Sequence, residues 1–121
     1  MGRSNNLFIL AAALFLLFCY SCKKTENVTR QSTSASLKPN ESFRLSLTNI
    51  CAVCGSEISR QASHFDSSVI LIDSAAGQYQ FVYVYRPAKD YVGSDEVEIK
   101  QSASGGDNDA IYTTVKFSIA K

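Results

Sequence analysis

The sequence YQFVYVYRPAKDYVGSDEVEIK occupies residues 79–100. From Tyr79 to Tyr85 it is a continuous aromatic and β-branched run, the composition of an interior strand. Tyr79, Phe81, Tyr83 and Tyr85 share one parity and therefore one face. A core face is the leading expectation for that stripe, and stacking on a glycan or peptide is the other. Pro87 ends the run because it has no ladder donor. Gly93 permits a positive φ in the turn that follows. Asp95 can accept bonds from turn amides, and Tyr91 can plug the base of a sandwich. Val97 and Ile99 then alternate with Glu96, Glu98 and Lys100, which puts one face on a core and the other in water.

The same period of two extends outward in both directions. Phe43, Leu45 and Leu47 alternate with Arg44 and Ser46; Val115, Phe117 and Ile119 alternate with Lys116 and Ser118. Val69-Ile70-Leu71-Ile72 is unbroken, as expected of an interior strand or one covered on both faces. Ser74 to Gln78 reads as a hairpin connection with Gly at the turn. The segment Glu57–Ser67 reads either as a strand with a loop or as one short helical turn. After residue 21 the chain has four Leu against eight Val and seven Ile, a balance that favours strands over helices. The expected fold is all-β: a small antiparallel immunoglobulin-like β-sandwich of six to seven strands over residues 42–121.

The string Tyr85, Pro87, Tyr91, Gly93, Asp95, followed by a strand and a final alternating strand, resembles the bacterial immunoglobulin-like and cadherin-like modules. It spans about the last third of the chain. Two departures stand out: no second aromatic follows Asp95, and one copy is present where the family often has tandem repeats. The resemblance implies a binding or accessory module.

The N-terminus is unlike the rest. Arg3 precedes the apolar run Leu7–Tyr20, a secretory signal pattern. Fourteen residues of helix span roughly 21 Å, short of the ~30 Å hydrocarbon core. The run closes on Cys19-Tyr20-Ser21-Cys22, which resembles a bacterial lipoprotein signal peptide with lipidation at Cys22. Cys19 stands where Leu is usual. Lys23, in place of Asp, points by the same resemblance to the outer membrane of a Gram-negative-type bacterium. Residues 1–21 are thus expected to be the signal peptide. Residues 22–41 are expected to be the lipidated Cys and a flexible polar tether, its last part joining the fold as an edge strand.

Composition narrows function. The formal net charge is +1, and without residues 1–21 it is near zero, which argues against a general nucleic-acid binder. One His and no Trp leave little room for an enzyme with a deep pocket. Cys51-Ala52-Val53-Cys54 reads first as a local disulfide, natural in an oxidising envelope. A redox pair would need a helix N-terminus, and a zinc site would need four ligands, drawn from these cysteines, His64 and carboxylates such as Asp66. Covalent haem is excluded because Gly55, not His, follows Cys54. Ser63-His64-Phe65-Asp66 lacks the elbow of a serine hydrolase. Glu96 and Glu98 share the wet face of one strand and cannot flank a sugar with Asp95. Asp107, Asn108 and Asp109 are weak calcium candidates, fewer oxygens than calcium takes. No cofactor, no metal and no catalytic residue is expected. The expected partners are the membrane, through the N-terminal lipid, and an envelope protein or glycan. The alternatives are a small thiol-disulfide protein using Cys51 and Cys54, and a calcium-dependent adhesion module.

Overall fold

The structure, a computed structural model, describes residues 27–47, 55–74, 79–102 and 109–121. Seven strands form two sheets: β1 Asn27–Leu37, β2 Phe43–Ser46, β3 Gly55–Arg60, β4 Phe65–Asp73, β5 Gln80–Pro87, β6 Gly93–Ser102 and β7 Asp109–Ile119. One sheet has the order β1-β7-β6-β3 and the other β2-β5-β4. The sandwich expected from the alternating segments is present.

The inward rows are those the period of two assigns. Val97, Ile99, Val115, Phe117 and Ile119 from one sheet meet Tyr83 and Tyr85 from the other, all buried. Tyr85 stacks on Phe117 with ring centroids 4.0 Å apart, and Phe43 meets the same Phe117 edge-on at 5.3 Å. Each fully buried side chain of this size stabilises by about 1.5–3 kcal/mol, so this aromatic and aliphatic seam is the main source of cohesion. The stripe on β5 is therefore a core face over Phe81, Tyr83 and Tyr85. Its first member, Tyr79, lies beyond the sheet and is 79% exposed.

Three expectations are corrected. The polar segment assigned to the tether contains an eleven-residue strand, β1, and only its placement at a sheet edge matches what was expected. Its outward positions need no apolar residues, because an edge strand is held by its ladder and by Ala35 and Leu37 against the core. Hydrophobic patterning could not reveal such a strand. Second, the sandwich is not wholly antiparallel, since β1 runs parallel to β7 with Asn27 opposite Asp109 and Leu37 opposite Ile119. Third, Val69–Ile72 is not interior. It belongs to β4, the edge of the three-stranded sheet, and Val69, Leu71 and Ile72 are exposed. The doubtful segment Glu57–Ser67 is extended at both ends, in β3 and in the start of β4, with a short connection over 61–64.

Topology gives the sandwich two unlike ends. The connections over 38–42, 61–64 and 88–92 gather at one end, here called the base, with the C-terminal Lys121. The chain enters at the opposite end, at Asn27. Strands β2, β4 and β6 end toward that side, and β3, β5 and β7 begin there.

Candidate functional site

The residues of the turn signature converge at the base. Tyr85, near the end of β5, is fully buried, and Asp95, the third residue of β6, is 7% exposed and points inward. The two carboxylate oxygens of Asp95 take four donors between them. Oδ1 accepts the backbone N–H of Ser63 at 2.8 Å and of Glu96 at 3.0 Å; Oδ2 accepts the N–H of His64 at 2.8 Å and the hydroxyl of Tyr85 at 2.9 Å. The Tyr85 hydroxyl also lies 3.1 Å from the His64 carbonyl. Asp95 thus pins the β3–β4 connection to β6 and to the central strand of the other sheet.

The protonation states follow from this arrangement. Burial raises the Asp95 carboxyl, but the N–H groups of Ser63 and His64, the Tyr85 hydroxyl and the Glu96 N–H outweigh it, and the group titrates below the ordinary carboxylate range. Burial raises Tyr85 well above the usual phenol, and its bond to Asp95 holds it further in the neutral form. Tyr83 is pushed up to about 12, chiefly by burial, against the opposing effect of its bond to Ser68. Both phenols are neutral at any physiological pH.

Tyr91 and Gly93 complete the turn. The Tyr91 ring stacks on the His64 imidazole at 4.3 Å, and its hydroxyl donates to the Ser94 carbonyl at 2.8 Å. That path brings the hydroxyl over Gly93, whose φ is +144°; an added Cβ would stand 2.7 Å from the Tyr91 hydroxyl oxygen. Both conformation and space therefore require glycine. Pro87 is buried at the end of β5. Beside it, Asn40 and Asp90, both at positive φ, clamp two connections: Asn40 Nδ2 donates to Asp90 Oδ1 and Asp90 N–H to Asn40 Oδ1, each at 3.1 Å. Asn and Asp tolerate this left-handed region better than other side chains.

All five signature residues, Tyr85, Pro87, Tyr91, Gly93 and Asp95, are thus brought together. Sequence reasoning missed their partners, the amides of Ser63 and His64, because the bonds span 32 and 31 residues and use backbone groups that no side-chain pattern marks. In the run Ser63-His64-Phe65-Asp66, Ser63 and His64 give their backbone amides to Asp95, and Asp66 lies 3.8 Å from Arg86. Glu96 and Glu98 face outward, paired with Arg60 at 2.8 Å and Arg30 at 3.1 Å. Among the described residues no group of three or more His, Cys, Asp or Glu could hold a metal ion. Cys22, Cys51, Cys54, Asp107 and Asn108 lie outside the described residues. Asp109 is described, and its Oδ1 accepts Asn27 Nδ2 at 3.2 Å.

Among the clefts formed by the described residues, one lies at the base and another beside β1. A shallow one of about 420 Å³ at the base is lined by Ser63, His64, Ser94, Asp95, Lys116 and Phe117, among others. The second, about 260 Å³, opens between β1 and β2 and is lined by Gln31, Thr33, Leu45, Leu47, Gln101 and Thr113, among others. There the inward rows change character: Gln31 Nε2 donates to Thr113 Oγ1 at 2.7 Å, and Gln101 and Thr113 are buried polar groups.

No family model matches the chain, and no curated protein matches it. Among solved structures it is similar to amebosin, at TM-score 0.49 and 9% identity over 76% of this chain and 98% of that one. It is also similar to the cysteine protease inhibitor EhICP2 from Entamoeba histolytica, at TM-score 0.42 and 12% identity over 78% of this chain and 94% of that one. A third similarity is to an endo-fucoidan hydrolase of glycoside hydrolase family 107, at TM-score 0.48 and 6% identity; it covers 74% of this chain but only 12% of the hydrolase. These values carry neither activity nor partner. On its own geometry the chain is a small all-β sandwich module with a tightly tied base.

Proposed function

We propose that this chain is a lipid-anchored bacterial cell-envelope protein, held through Cys22, whose β-sandwich acts by binding or as structure and without catalysis. One observation carries the non-catalytic part. Asp, His and Tyr meet at the base, yet the carboxylate of Asp95 has a donor on each of its four lone-pair sites. A carboxylate so occupied, and held ionised, is a brace and not a general acid or base. The anchor rests on the sequence ending Ser21-Cys22 after a short apolar run. Several acyl chains, at ~0.8 kcal/mol per CH₂, hold a protein firmly. Lys23 favours the outer membrane, and the partner is an envelope protein or glycan.

Mass spectrometry of the mature protein from bacterial envelopes tests the anchor. The expected species begins at Cys22 and carries diacylglycerol. An unmodified Cys22, or a different start, overturns it. Turnover of insulin disulfides by the purified protein would overturn the non-catalytic reading in favour of a Cys51/Cys54 redox pair.

A further inference from the structure

We propose that the end of the sandwich where β1 begins faces the lipid surface, with Tyr79 at headgroup level, and that the base points away from the bilayer. The inference rests on the lipid-anchor reading above and adds an orientation to it. Its first support is chain length. Strand β1 starts at Asn27, so only Lys23 to Glu26 separate it from Cys22. Five Cα steps reach at most about 18 Å. Had the fold begun at residue 42, the domain could have tumbled freely; with β1 in the sheet, the point of entry is held close to the anchor.

The second support is how firmly that entry point is fixed. Asn27 lies opposite Asp109 in the parallel ladder, and their side chains are bonded at 3.2 Å. Eleven residues of ladder follow, so β1 sets the direction of the whole sandwich, and the base lies roughly 35 Å further along at ~3.3 Å per residue.

The third is chemical. The two most exposed large apolar side chains among the described residues, Tyr79 at 79% and Ile72 at 64%, are both at this end, and Val28 on β1 is 44% exposed. Ile72 pairs with Phe81, whose carbonyl accepts the Leu47 N–H at 2.9 Å, and Leu47 lines the cleft with Gln31 to Thr33 of β1. The end of the three-stranded sheet therefore lies level with Gln31 to Thr33, four to six residues along β1 from Asn27, in the half of the sandwich where the chain enters. Tyr is a side chain that settles at membrane interfaces, and Lys23 and Lys24 in the spacer complement anionic headgroups. Among the described residues, the acidic groups toward this end are engaged: Asp73 lies 3.5 Å from Arg44, Asp109 binds Asn27, and Glu57 lies 3.6 Å from Lys100.

The chain contains no tryptophan, which makes the test direct. The full lipidated protein is reconstituted into phosphatidylcholine–phosphatidylglycerol vesicles as Tyr79→Trp and, separately, as Val92→Trp at the base. A phosphatidylcholine carrying a nitroxide on its headgroup is the quencher. At least threefold stronger quenching of the tryptophan at 79 is expected. Equal quenching, or stronger quenching at 92, overturns the orientation. Mass spectrometry of the same samples separates the two readings. Lipid on Cys22 with equal quenching removes the orientation alone; absence of lipid removes the anchor, and the orientation with it.

Discussion

At the base, three connections and two sheets are tied by side chains that reach from one segment to another: Asp95 to the 61–64 connection and Tyr85, Asn40 to Asp90, Tyr91 to His64. At the opposite end the inward rows turn from Tyr85 and Phe117 to Gln31, Gln101 and Thr113, and Tyr79 is largely exposed. The same strands run through both ends, so the contrast does not come from the sheets. It lies in what the buried polar side chains do: Asp95 locks a connection to both sheets, whereas in the cleft Gln31 pairs with Thr113 of the neighbouring strand. A buried, fully satisfied carboxylate makes a connection part of the fold, whereas an exposed aromatic costs little to change and is available to a surface.

That contrast can be broken or sharpened by substitution. Asp95→Ala leaves four donors without their acceptor and should cost about 3 kcal/mol or more, read by denaturant titration; a loss below about 1 kcal/mol would show that the base is not held by this group. Gly93→Ala drives a Cβ into the Tyr91 hydroxyl at a positive φ and should cost about 2 kcal/mol; Tyr91→Phe added to it removes the 2.7 Å contact but also the bond to the Ser94 carbonyl, and leaves the φ strain in place. Tyr85→Phe keeps the stack on Phe117 and removes one donor to Asp95, for about 1–2 kcal/mol; no change in the urea midpoint would contradict the hub. At the other end, Tyr79→Ser in a soluble, unlipidated form should stay within about 0.5 kcal/mol of the parent.

Acid sharpens the comparison further. The Asp95 carboxyl is held below its ordinary range, so folding favours its ionised form. Its contribution is complete above the ordinary carboxylate pKa of about 4 and drains away as pH falls through the lower folded value. Thermal midpoints of Asp95→Asn and the parent, followed from pH 6 to pH 2, should converge toward the acid end. A parallel offset across the whole range would assign the acid limb to other groups.

Much of the fold was legible because burial on one face imposes a period of two. Phe43, Leu45, Val97, Ile99, Val115, Phe117 and Ile119 announce their strands without help. The turn signature was legible too, since Pro87, Gly93 and Asp95 each have a backbone reason to stand where they do. Strand β1 was not: NVTRQSTSASL has almost nothing to bury, and its place in the sheet comes from a ladder with β7, 82 residues away. The edge position of β4 was hidden in the opposite way, because VILI looks interior wherever it lies.

By itself, then, the sequence determined an all-β chain, its inward rows and the turn that closes its base, since local periodicity and backbone chemistry act over a few residues. Only the tertiary structure decided that Asp95 would find the amides of Ser63 and His64, that a polar segment would become β1, and that the chain would enter five residues after Cys22. Those outcomes depend on hydrogen-bonding groups that every residue carries, and their partners are chosen by the packed sheets, not by side-chain identity.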